Sequence, residues 1–224
     1  MSTRPTTTVS ARALLLDMDG TLVNSDAVVE RIWRGWAAEN GVDAEAVLSV
    51  AHGRQGHATM ALLFPERPHA QNLADNERLL ERERNDTEGV VPIPGAPALL
   101  DALLAQGIAH ALVTSADVPL SEARMAAAGV RYPAVRITAE NVSASKPDPE
   151  GFLKGAAELG VDPADCLVLE DSEAGIAAGR AAGMRVVGVG PRAAAHRPDH
   201  HVQDLTGVRV EAGPVPGSVR LHLG

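Results

Sequence analysis

The sequence predicts an α/β fold: a Rossmann-like parallel sheet with helices on both faces and an inserted all-helical cap. Three observations carry this. First, ALLLD (13–17), HALVTS (110–115), CLVLED (166–171) and MRVVGVG (184–190) are short apolar runs, as expected of strands covered on both faces. Second, helical patterns alternate with these runs, the signature of strand–helix–strand units. Third, residues 25–88 hold no convincing strand and read as consecutive helices.

The helices carry their own punctuation. PGAPALLDALLAQG has Pro97 near its start and Gly107 past its end. VPLSEARMAAAG stops at Gly129, and DPEGFLKGAAELG has Asp148 as N-cap, Pro149 at the first position and Gly160 as its stop. SEAGIAAGRAAG runs from Ser172 to near Gly183, its glycines suited to close packing on the sheet. In the insert, Ser25 can cap a helix carrying Val28, Val29, Ile32, Trp33 and Trp36 on one face and ending at Gly41. Two shorter helices follow, DAEAVLSVA and QGHATMALLF. The charged NLADNERLLERERND then returns toward the sheet, with ERLLERER expected as a solvated face and GVVPIPG as a hinge. The expected division is 12–24 and 89–210 for the core and 25–88 for the cap, with loosely ordered ends at 1–11 and 211–224. The histidines of AHRPDHH, His196 to His201, are expected on a surface loop.

Composition removes several classes of function. The formal net charge is −9 and aromatics are 2%, which argues against a nucleic-acid partner needing a basic footprint or stacking rings. No apolar run approaches membrane-spanning length, and the polar N-terminus lacks a signal-peptide core, so the expected location is the cytoplasm, with no membrane partner. Cys166 is the one cysteine, which excludes an intrachain disulfide and a Cys-based zinc site. A monomer or weak dimer is expected.

Ligands of open parallel sheets bind beyond the carboxyl ends of the strands. Asp17 and Asp19 follow the first strand, Thr114 and Ser115 the second, and Glu170 and Asp171 close the acidic one. Lys146 lies in the loop SASKPDP. Any one of these has an ordinary explanation as a cap, a turn or a surface charge. Together they put four acids, two hydroxyls and a lysine at one end of one sheet.

DMDGTLVNS, LVTSA, SKPDPEGF and LEDSEAGIAAGRAAG resemble the four ordered motifs of the haloacid dehalogenase-like hydrolase superfamily, over about residues 12–190. HGRQ, ITAENVSASKPDPEGFLKGAAELG and EDSEAGIAAGRAAGM are most similar to its sugar-phosphate and glycerol-phosphate phosphatases, including the 2-deoxyglucose-6-phosphate type. The resemblance implies a phosphatase acting on a small-molecule phosphate ester, with Asp17 as a nucleophile that forms an aspartyl-phosphate. Asp19 would protonate the leaving alcohol and then activate water. Gly20 would allow the tight turn, and Thr21 would hydrogen-bond to hold the loop. Lys146 would neutralise Asp17 and the transferring phosphoryl, while Thr114 and backbone N–H groups around Ser115 and Ala116 would take phosphate oxygens. Mg²⁺ would sit on Asp17, Asp171 and the Asp19 carbonyl, with Glu170 as a further acid nearby.

The resemblance makes the helical insert a substrate-selecting lid. His52, Arg54 and Gln55 of HGRQ, between two cap helices, are the candidates for meeting a sugar or polyol hydroxyl or the phosphate. Lys146 and Lys154 are the only lysines, so residues 25–88 have none. Arginine stays protonated and cannot replace a Schiff-base lysine, which disfavours the phosphonate-cleaving relatives. The β-phosphoglucomutase-like relatives also use a cap lysine, which weakens a phosphomutase without excluding it, and a phosphomutase stands as the alternative. A signalling receiver domain would be much shorter and would lack a base after its phosphorylated aspartate.

Overall fold

Six parallel strands build the frame that carries the site. In this computed structural model, which describes residues 7–224, they are β2 (Ala13–Leu16), β5 (His110–Val113), β6 (Val135–Ile137), β7 (Cys166–Glu170), β8 (Arg185–Val189) and β9 (His200–Val202). All pairings are parallel, in the order β6-β5-β2-β7-β8-β9. Every residue of β2 and β7 is buried, which is why these strands read as unbroken apolar runs. Alternation splits them between two layers. Leu14, Leu16, Leu112, Leu167 and Leu169 pack on one side with Leu100 and Leu103 of α5 (Ala96–Ala105) and Met125 of α6 (Val118–Ala127). Ala13, Leu15, Val113 and Val168 pack on the other with Phe152 of α7 (Glu150–Leu159) and Ile176 of α8 (Glu173–Ala181). The short α9 (Gly190–Ala194) follows β8. Gly179 is a packing glycine in fact: a Cβ there would lie 2.9 Å from a methyl of Val186.

Two strands are not evident from sequence. β6 is three residues long and follows Pro133, too little for a periodicity signal. β9 contains His200 and His201, so the segment expected as a surface loop is partly an edge strand. Its backbone pairs with β8, and a His201 ring nitrogen meets the Gly190 carbonyl at 2.8 Å.

Four helices stand over the sheet's carboxyl end: α1 (Asp26–Asn40), α2 (Ala44–Ala51), α3 (Gly56–Leu63) and α4 (His69–Asn85). α1 stops where Gly41 turns left-handed, with φ +65°. Trp33 and Trp36 meet edge-to-face at 5.6 Å and form this unit's small core, where the Trp36 indole donates to Asp75 at 3.1 Å. The two chain passages between the units pair with each other, β3 (Val23–Asn24) antiparallel to β4 (Val91–Pro92). Entry and exit thus form one two-stranded ribbon.

The chain ends correct the expectation of loose order. β1 (Thr7–Ala11), β10 (Arg209–Ala212) and β11 (Val219–Leu223) form a second, antiparallel sheet in the order β1-β11-β10. Residues 1–6, also expected to be loose, lie outside the described residues. VRLHL alternates with period two, burying Val219, Leu221 and Leu223 against Val9 and Val210. The Gly/Pro-rich GPVPG, residues 213–217, is the hairpin turn between β10 and β11, closed by Gly213 N–H to the Ser218 carbonyl at 2.8 Å. The Gln106 side-chain amide bonds both Val210 and Ala212 of β10, covering that strand's outer edge. Leu221→Ala should therefore cost about 2–5 kcal/mol in urea unfolding, as a fully buried leucine does; a loosely ordered tail would give no change.

Candidate active site

β2 runs straight into the DMDGT loop, residues 17–21. Asp17 N–H continues the ladder to the Leu169 carbonyl at 3.0 Å, and the Met18 carbonyl then gathers the N–H groups of Leu22 and Val23. Gly20 is required twice over. Its φ is +86°, and a Cβ there would fall 2.1 Å from an Asp171 oxygen. The loop is pressed against the end of β7. Thr21 departs from expectation: its side chain is wholly buried, but its hydroxyl has no hydrogen-bond partner among the described residues. The backbone turn, not Thr21, holds the loop.

Lys146 is the hub. Its ammonium donates to Asp17 Oδ1 at 2.6 Å, Glu170 Oε1 at 2.9 Å and the Val113 carbonyl at 3.0 Å, and stands 5.0 Å from the centre of the Phe152 ring. Burial opposes its charge, but Asp17 and Glu170 outweigh that and hold its pKa above the usual lysine value. Burial, followed by the nearby Glu170, pushes Asp17 well above the ordinary carboxylate range, and Lys146 only partly offsets it. Burial and Glu170 also raise Asp171 to about 7, against the pull of Arg192 on α9, whose Nε donates to Asp171 Oδ2 at 2.9 Å.

Asp17, Glu170 and Asp171 can bring one oxygen each within 4.8 Å of the others. Three crowded, buried carboxylates are a hard-oxygen donor set that fits a divalent cation such as Mg²⁺. They are not equivalent. Glu170 Oε1 already takes Lys146, and its Oε2 takes the N–H and hydroxyl of Ser172 at 2.7 and 2.9 Å. Glu170 is therefore placed to fix Lys146, which leaves Asp17 and Asp171 as the freer ligands.

Asp19 has separate partners. Its Oδ1 accepts from the Ser25 hydroxyl at 2.6 Å, and its Oδ2 accepts from Arg124 at 2.8 Å. Ser25 stands at the N-cap of α1, yet its side chain makes no cap bond, because it is turned to Asp19. Arg124 also donates to Glu83 of α4 at 2.8 Å. Glu83 corrects the expectation that ERLLERER is a solvated face. It follows Leu79 by one helical turn, shares that residue's buried side, and packs toward α6.

Thr114, at the end of β5, uses its N–H on the Ile137 carbonyl, while its hydroxyl oxygen accepts from Ala116 N–H at 3.1 Å. That hydroxyl still has a proton to donate. Ala116 N–H, expected on phosphate, points instead to Thr114. The Ser115 hydroxyl is likewise spent, donating to the Gly53 carbonyl at 3.0 Å.

Ser115 thus ties the core to the HGRQ loop between α2 and α3. Gln55 N–H makes a second tie, to the Ser145 hydroxyl at 2.9 Å. Gly53, with φ +77°, sits so close to the core that a Cβ would lie 2.1 Å from the Ser172 hydroxyl. His52 and Arg54 line the pocket beneath, with Asp17 and Asp19 at its floor and Trp33 and Leu79 among its apolar walls. Burial and Arg192 lower the His52 pKa, favouring a neutral ring, while Arg54 is folded back onto the Val50 carbonyl at 2.9 Å. Ser25, Glu83, Arg124 and Arg192 were not singled out by sequence as site residues. Among these, Glu83 left a trace there, in its spacing from Leu79.

No helix among the described residues is long and apolar enough to cross a membrane. A family model described as haloacid dehalogenase-like hydrolase matches residues 11–183. The chain is 42% identical to hexitol phosphatase A of Escherichia coli (strain K12), over 80% of this chain and 82% of that protein. It is 32% identical to glycerol-1-phosphate phosphohydrolase 2 of Saccharomyces cerevisiae, over 84% and 78%. A crystal structure of β-phosphoglucomutase from Clostridium difficile superposes with TM-score 0.71 at 21% identity, covering 88% of this chain and 92% of that one, and so shares the fold. These matches bear out the resemblance expected from the motifs: the chain belongs to the haloacid dehalogenase-like hydrolases and is a phosphoric monoester hydrolase.

Proposed function

We propose that the protein is a Mg²⁺-dependent phosphatase of small sugar or polyol phosphates, working through an aspartyl-phosphate on Asp17. One observation carries this: two neighbouring carboxylates on one pocket floor have been given different partners. Asp17 is bound by the Lys146 ammonium at 2.6 Å, while Asp19 is held by Ser25 and Arg124.

In the first step an Asp17 oxygen attacks phosphorus. The ester P–O bond breaks, and the departing alcohol oxygen takes a proton from Asp19. In the second, Asp19 takes a proton from water as the water oxygen attacks phosphorus. The bond to Asp17 breaks and inorganic phosphate leaves. Lys146 holds Asp17 and offsets the charge of the transferring phosphoryl, and the Thr114 hydroxyl donates to a phosphoryl oxygen. Mg²⁺ on Asp17 and Asp171, with the Asp19 carbonyl, would neutralise developing negative charge on the phosphoryl oxygens. The HGRQ loop closes the pocket against water and presents His52, Arg54 and Gln55 to the alcohol part of the substrate.

The names of the relatives support sugar and polyol phosphates as the class. A phosphomutase on the same scaffold is the second reading. It is disfavoured by the lack of any lysine in residues 25–88.

A panel of glycerol phosphates, hexose and hexitol phosphates, 2-deoxyglucose 6-phosphate and phosphoglycolate, assayed with Mg²⁺, tests the function. Phosphate should be released without a bisphosphate activator, and Asp17→Asn should abolish release while leaving the unfolding curve intact. Substantial turnover by that variant would remove Asp17 as the nucleophile. Isomerisation without phosphate release would favour the mutase.

Metal binding should depend on pH. With Asp171 raised to about 7, the folded metal-free protein holds a proton that the unfolded chain releases near pH 4. Its stability contribution therefore falls as pH rises between those values. A cation needs the ionised carboxylate, so Mg²⁺ should raise the melting temperature more at pH 8 than at pH 6. Equal shifts at both would contradict this.

A further inference from the structure

Phosphoryl transfer at Asp17 needs no guanidinium on α6, yet Arg124 is there, only 3% exposed. Its planar fork holds two carboxylates from different units: Nη1 donates to Asp19 Oδ2 and Nη2 to Glu83 Oε2, each at 2.8 Å. Its Nε–H is buried with no partner among the described residues. A buried ion pair with an unspent donor is poor evidence for a stability role. Fastening the cap helix α4 to α6 does not require it either, because the Arg84–Asp117 ion pair joins α4 to the N-cap of α6 without touching Asp19.

Arg124 does have one effect that Arg84 lacks. The Asp19 side chain is 29% exposed, and its two oxygens have one donor each, Ser25 on Oδ1 and Arg124 on Oδ2. Take Arg124 away and the carboxylate keeps a single tether about which it can swing. Take Glu83 away and the plane of the guanidinium is no longer set.

We propose that Arg124 is a positioning residue for the acid/base carboxylate, held flat by Glu83 of the cap so that Asp19 is aimed at the leaving oxygen. This rests on the phosphatase mechanism above. An alkoxide needs a proton to leave, whereas p-nitrophenolate leaves without one. Because kcat/KM covers only steps through departure of the alcohol, it separates the two cases.

The test compares kcat/KM for glycerol 1-phosphate and p-nitrophenyl phosphate in the native enzyme, Arg124→Ala, Arg124→Lys, Glu83→Gln and Arg84→Ala. Arg124→Ala should lose roughly 10–100-fold on the alkyl ester, part of what a general acid supplies, and under about 3-fold on the aryl ester. Arg124→Lys and Glu83→Gln should lose in the same sense but less, since lysine keeps the charge and not the fork. Arg84→Ala should affect both esters equally. Competitive inhibition by inorganic phosphate should be unchanged throughout, because Lys146 and Thr114 are untouched. On an Asp19→Asn background, Arg124→Ala should add no further selective loss.

Equal losses on both esters for Arg124→Ala overturn the proposal, as does a selective loss that persists without Asp19. Should Arg124→Ala not fold, the absence of any selective loss in both Arg124→Lys and Glu83→Gln overturns it. Where another alkyl ester of the panel is the better substrate it replaces glycerol 1-phosphate in this comparison, and a native enzyme that hydrolyses no ester of the panel overturns the phosphatase mechanism itself, and this proposal with it.

Discussion

One buried ammonium holds this site together. Lys146 sits between Asp17 and Glu170, and removing its ammonium would leave two buried carboxylates facing each other without compensation. Several sequence features follow from that arrangement. Glu170 must stay in reach of Lys146, so Ser172 grips its second oxygen. Position 175 must be glycine, because a Cβ there would meet a Glu170 oxygen at 1.7 Å. Phe152 lies within 5.0 Å of the ammonium and limits solvent access. Such an arrangement is poor value for stability alone, but it is well suited to a nucleophile that must meet a phosphate dianion.

The second constraint is that Asp17 and Asp19 must not behave alike. They flank Met18, and the tight turn at Gly20 follows both. Asp17 turns to Lys146, while Asp19 turns to the seam between core and cap, meeting Ser25 and Arg124. Ser25 gives up helix capping to do so. Around the HGRQ loop the seam is made of small residues and backbone: Ser115 to the Gly53 carbonyl, Gln55 N–H to Ser145, and Gly53 against Ser172. These contacts place the HGRQ loop over the pocket that Asp17 lines.

Much of this was legible in sequence because it is local. The strands β2, β5, β7 and β8 announce themselves as apolar runs, and the acids, hydroxyls and lysine follow at their ends. The helix stops at Gly41 and Gly160 show equally well. What stayed hidden depends on distant partners. Arg124 and Glu83 are ordinary helix residues until α4 is laid on α6. The Ala116 N–H looks free for phosphate until its Thr114 partner is seen, and the Ser115 hydroxyl shows no tie to the cap until the Gly53 carbonyl is laid over it. The C-terminal strands were obscured by the glycines and prolines of their own hairpin, although VRLHL carried the period-two pattern throughout.

The central claim is that Asp17 itself becomes phosphorylated. It can be tested by quenching the enzyme during turnover, reducing it with borohydride and mapping the product by mass spectrometry. An acyl phosphate at Asp17 would be reduced to homoserine at position 17 alone, and no reduction would appear in enzyme quenched without substrate. Reduction at another carboxylate, or no reduced residue in Asp19→Asn enzyme quenched after it has released p-nitrophenolate from p-nitrophenyl phosphate, would contradict the account.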